Sequence, residues 1–165
     1  MSTSTSTPLP PSPPETLQQF LRFQLPGNIQ AMVDTQYLAE ILNLNLSQVV
    51  PISGTNPVMM GVCNWRGEVL WLADLGCLLG FQPLYVQNLR KGQVNTIVAR
   101  HEGRTLGLGV ELVDRMLWCD RDRIQPDFKQ PSHSPRLEPY VQGYWADLKE
   151  GGWVLDIEAI MNSLQ

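Results

Sequence analysis

The chain lacks what most solvents and ligands would ask of it. No apolar run in its 165 residues approaches the roughly 20 needed to span a bilayer. The N-terminus has neither the basic start nor the apolar core of a secretory leader, so a cytoplasmic protein without membrane insertion is expected. Lys and Arg number 12 against 16 Asp and Glu, a net charge of -4, and the basic residues are scattered. That balance argues against a nucleic-acid groove and against a polybasic membrane patch. Cysteine is scarce: Cys63, Cys77 and Cys119 are an odd set, far apart, with no C-x-x-C. They read as three reduced thiols in core or half-buried positions. His101 and His133 add no pair with ligand spacing, so no metal site is expected. Catalytic signatures are missing too. There is no G-x-S-x-G elbow, and "GLGVELV" lacks the glycines and the lysine of a phosphate cradle. Cys63 lies in an apolar strand, with nothing local to pair it with His101 as a base. These absences point away from an enzyme and from a bound cofactor.

What is present is a β pattern behind a polar tail. Residues 1–18, "MSTSTSTPLPPSPPETLQ", are mostly Ser, Thr and Pro and cannot bury enough surface to offset ordering entropy. A disordered tail is expected there, and order from Phe20. "FLRFQL" and "IQAMVD" read as strands around a Pro26-Gly27-Asn28 turn, while "YLAEILNL" fits a strand or a helix. Pro51–Pro57 reads as a loop and "MMGVCNW" as a strand. In "NWRGEVLWLADL", Arg66-Gly67 suits the centre of a tight turn. Val69–Ala73 is an unbroken apolar run, the pattern of a strand covered on both faces. Asp74 is placed to cap a short helix over Leu75–Leu79, which Gly80 ends. After a polar linker, "VNTIVARH" and "RTLGLGVELV" form a hairpin. "RMLWCDRDRI" reads as a short strand or turn, and Pro126–Pro139 as an irregular loop. "YVQGYWADL" and "GGWVLDI" form a last hairpin, before a terminal helix capped by Asp156.

Two stretches echo one another. "WLADLGCLL" at 71–79 and "WVLDIEAIM" at 153–161 each place an Asp three residues after a Trp, then an amphipathic turn of helix. Each copy closes a run of four or five short strands. Two similar β-lobes in tandem, roughly 19–80 and 93–155, follow from this. Each is small for a core of its own, so a shared apolar seam is expected between them. Charges on otherwise apolar strands are the candidates for binding: Glu40 interrupts "YLAEIL", and Arg66 tips the 62–73 hairpin. Read alone, either is equally an exposed charge with no partner.

The blocks "FLRFQL", "LAEIL", "GVCNWRGEVLWLADL", "GLGVELV", "IQP" and "WVLDIEAI", in this order, resemble the CheW-like coupling proteins of bacterial chemosensory systems. The resemblance spans about residues 19–163. It implies a mainly β fold of two SH3-like five-stranded β-barrels around a shared apolar core, with short helices including one at the C-terminus. It implies no catalysis. Its implied role is an adaptor joining a chemoreceptor's cytoplasmic tip to the regulatory domain of a CheA-like histidine kinase in arrays that control motility. Leu38, Glu40 and Arg66 match family positions associated with receptor binding. The chain departs from the pattern at Trp71, where Pro is usual, at Glu111, where Asp is usual, and at Trp65, where an aliphatic residue is usual. The alternative from another class is a small β-barrel nucleic-acid module stacking bases on Trp and Tyr, which the acidic balance disfavours.

Overall fold

The computed structural model describes residues 16–84, 92–126, 135–147 and 151–164. Eleven strands are present among them: β1 (Leu17–Leu25), β2 (Ile29–Asp34), β3 (Leu38–Asn45), β4 (Met59–Trp65), β5 (Glu68–Asp74), β6 (Gln93–His101), β7 (Arg104–Val110), β8 (Leu112–Asp120), β9 (Ile124–Gln125), β10 (Val141–Ala146) and β11 (Gly151–Leu155). Two short helices follow strands directly, α1 (Leu75–Leu78) after β5 and α2 (Ile157–Ser163) after β11. The fold is mainly β, as expected, in two curled sheets.

One sheet runs β8-β1-β2-β11-β10-β9 and the other β3-β6-β7-β5-β4. The two orders are the same list with the first and second halves of the chain exchanged. The hairpin β1–β2 corresponds to β6–β7, β3 to β8, and β4–β5 to β10–β11. Even the two-residue β9 has its counterpart, an isolated bridge from Val50 to Val62. The expected division at residues 80–93 therefore separates two chain repeats but not the two sheets. After each first hairpin the chain crosses over. β3 pairs with β6, and β8 pairs with β1. The reason is the open edge that each hairpin leaves, a row of unpaired backbone groups that the other repeat's third strand covers.

The seam expected between the lobes is present. It packs Leu21, Phe23 and Val33 of one sheet with Ile97, Leu108 and Val110 of the other, closed by Trp153, Leu155, Ile157 and Ile160. Each sheet also encloses a smaller core, around Trp65, Leu70 and Leu72 in one and around Phe20, Met32 and Trp145 in the other.

Three local expectations need correction. Leu17 and Gln18 belong to β1, paired with Asp120 and Cys119, rather than to the tail; residues 1–15 lie outside the described residues. Of the strand and turn readings of "RMLWCD" the strand holds, but it is not short: the segment is most of the nine-residue β8, whose charged outer residues suit a sheet edge. One of them, Asp114, accepts a 2.6 Å ion-pair hydrogen bond from Arg22 of β1. β5 is covered on both faces only at its end: Val69 and Trp71 are exposed, while Leu70 and Leu72 are buried. The ambiguous "YLAEILNL" is strand β3 with its 3₁₀ entry. His133, most of the proline-rich loop and the tip of the last hairpin lie outside the described residues.

Candidate functional site

The β4–β5 hairpin turns on two residues with positive φ, Arg66 at 52° and Gly67 at 79°. Such a two-residue turn matches the twist of its strands, and here a non-glycine takes the first left-handed position. The Asn64 side chain steadies it by accepting a 3.0 Å hydrogen bond from the Gly67 N–H. The turn holds the Arg66 side chain, 68% exposed, over the edge strand β3.

There it meets Glu40. One Arg66 guanidinium nitrogen lies 3.2 Å from Glu40 Oε2, and the Trp65 indole N–H donates to that same oxygen at 2.7 Å. The two charges that seemed partnerless in the sequence are partners of each other. A register shift between Leu38 and Glu40 separates the third expected residue from this pair. Leu38 pairs with Ala99 and packs, partly buried, against the seam.

The indole of Trp65 is the platform. It is 6% exposed, packed in its lobe's core, and it carries two cations: the Arg66 guanidinium carbon 5.2 Å and that of Arg100 5.6 Å from the ring centroid. Sequence reading singled out Trp65 as a departure from the family pattern that bears on partner preference, but not as the anchor of the two charges. It missed Arg100, because nothing local shows that β6 brings residue 100 beside β4's end. Arg100 in turn donates from Nε to the Thr105 hydroxyl at 3.3 Å.

Thr105 also borders a groove of about 560 Å³ between the sheet, the 51–57 loop and α2. Met59, Trp71, Leu106, Met161 and Leu164 give it an apolar lining. Arg104 stands at its margin, donating to the Asn162 side-chain oxygen at 2.9 Å. Polar cluster and apolar groove are thus one side chain apart.

The two aspartates do different work. The Asp74 carboxylate is 1% exposed and accepts from the Cys77 N–H at 3.2 Å and from the Leu84 N–H at 2.7 Å. It caps α1 and fixes the chain beyond it. Burial raises its pKa, against the lowering effect of these backbone hydrogen bonds. Asp156 caps α2 through the Ala159 N–H at 3.1 Å. The thiols are poorly placed for nucleophilic work. Burial raises Cys63, and burial with the nearby Asp120 carboxylate pushes Cys119 up to about 12. His101 stacks edge-on with Tyr37, their centroids 5.3 Å apart. Trp65, Trp145 and Trp153 are buried, whereas Trp71 and Trp118 are exposed. Among the described residues, no helix is long and apolar enough to cross a membrane.

The model of the CheW-like domain matches residues 19–165, nearly the whole chain. The chain belongs to the CheW-like domain family. Among solved structures it is similar to the scaffolding protein TtCheW from Thermoanaerobacter tengcongensis, with a TM-score of 0.68 and 18% identity over 84% of this chain and 88% of that one. At that identity the likeness speaks for the fold. No curated protein sequence matches the chain. Within the CheW-like frame, the Glu40–Trp65–Arg66–Arg100 cluster stands at the end of the β4–β5 hairpin, which carries the "NWRG" stretch.

Proposed function

We propose that this CheW-like chain is a non-enzymatic adaptor of a chemosensory array controlling motility. It couples a chemoreceptor's cytoplasmic tip to the regulatory domain of a CheA-like histidine kinase, in the cytoplasm at membrane-associated receptor arrays. The observation that carries the reading is the convergence of Glu40 and Arg66, 26 positions apart in the chain, into one ion pair beside an apolar groove. Family membership and the scaffolding role printed for TtCheW support it. The work is done by binding alone: apolar surface supplies affinity, and the charged rim sets register. The receptor tip meets the Glu40–Arg66 rim, and the kinase is held on another face.

Two titrations of one purified variant test this reading. Arg66→Ala should weaken binding of a receptor cytoplasmic-tip fragment by about 2 kcal/mol, a typical hot-spot loss. Its folding stability should move by only about 0.5 kcal/mol, because the ion pair it loses is exposed. Affinity for the kinase regulatory domain should be unchanged. A receptor affinity equal to that of the unmodified protein would remove the site.

A further inference from the structure

Two guanidiniums share the Trp65 ring, and only one has a carboxylate. Arg66 is paired with Glu40. Arg100 is exposed, its one assigned hydrogen bond goes to a neutral hydroxyl, and among the described residues no carboxylate pairs with it. The cluster therefore carries one uncompensated positive charge on a chain whose net charge is -4. A guanidinium lying over an aromatic face gives up little hydration and keeps its N–H edge directed outward. Trp65 cannot swing, because its ring is packed in the lobe core and its N–H is committed to Glu40. An aliphatic residue at this position would supply neither the N–H nor the π face. Trp65 thus fixes the orientation of both arginines. Through Thr105, Arg100 also stands at the border of the apolar groove.

We infer that Arg100, positioned by Trp65, takes a carboxylate of the docking partner. The occupant that fits is a helical segment of the receptor tip, with apolar residues for the groove and an Asp or Glu where it passes Arg100. This rests on the receptor reading above. It adds an unpaired positive charge to a rim whose other two charges, Glu40 and Arg66, are already paired with each other.

The test uses the full chain and a receptor cytoplasmic-tip fragment, titrated at several salt concentrations. Arg100→Gln should weaken binding about tenfold, with an unchanged melting midpoint and a shallower salt dependence. Arg100→Lys should restore affinity in part, since it returns the charge without the stacking plane. Changing each Asp and Glu of the fragment to its amide should reveal one carboxylate whose loss costs nothing further in the Arg100→Gln background. If the unmodified chain binds but Arg100→Gln stays within about twofold of it, or if every carboxylate is additive with it, the inference falls and the receptor reading stands. If the unmodified chain does not bind the fragment, both fall.

Discussion

The hairpin β4–β5 with α1 and the hairpin β10–β11 with α2 are two versions of one unit, and they differ in where their tryptophans and carboxylates go. In the first, Trp71 is 39% exposed and borders the groove; in the second, Trp153 is 4% exposed and closes the seam. Asp74 is fully buried and holds two backbone N–H groups, whereas Asp156 is half-buried and holds one. The shared parts are backbone devices. Each unit has a bulge at a glycine, Gly61 or Gly143, and each ends in an aspartate cap. What repeats is the frame, and what differs is which surface the frame leaves open. The second unit completes the core, which frees the first to present charges and apolar surface.

The largest effect should come from the shared glycines. At Gly61 a Cβ would run into the Val50 backbone, and the residue holds a φ of +145°. At Gly143 a Cβ would meet the Gln125 carbonyl oxygen at 2.8 Å with no such φ constraint. Gly61→Ala should cost about 3 kcal/mol or more and Gly143→Ala about 1–3, read by chemical denaturation. Equal costs would mean that clash alone, not backbone conformation, sets the penalty.

The caps come next. Asp74→Ala should cost about 2 kcal/mol, the upper end for a cap, because it strands the buried Leu84 N–H as well as opening α1. Asp156→Ala should cost about 1 kcal/mol. Equal melting shifts would show that the second hydrogen bond of Asp74 contributes little.

The smallest effect is a pH dependence. Because the folded-state pKa of Asp74 lies above its ordinary value, the native protein holds this proton at pH values where the unfolded chain has lost it. Stability from this group is therefore greatest below the ordinary carboxylate pKa. It declines as pH rises toward the raised value and is level beyond it. Asp74→Asn lacks this component, so the stability difference between it and the unmodified protein should shift across that window in denaturation curves. A difference independent of pH would mean the buried carboxylate titrates normally.

How much of this could be read in the sequence follows from distance along the chain. β4 was legible to the residue, and both caps were visible, because turn chemistry and Asp placement act within three or four positions. β8 was only half legible: "RMLWCDRDRI" fitted a short strand or a turn, because the charges of an edge strand break the apolar alternation that marks a covered one. The exchange of β3 and β8 was invisible, since strand partners leave no local mark. The site was half legible. Glu40 and Arg66 stood out as charges on apolar strands, but Trp65 as their anchor and Arg100 as their neighbour emerge only when the curled sheet brings the end of β4, at one edge, against β3 and β6 at the other.

The crossed strands also set a timetable for synthesis. β1 gains its outer neighbour only when β8 exists, and Leu17 pairs with Asp120, roughly a hundred residues later. At a translation rate of about 5–20 residues per second, the first hairpin waits on the order of 5–20 s beside the ribosome. Through that interval the side chains of Phe20 and Phe23, which end in two different cores, have neither core to enter. A nascent chain stalled before residue 112 should accordingly recruit a chaperone at its first strand and shed it only once β8, β10 and β11 have emerged, since Trp145 completes one core and Trp153 and Leu155 close the other.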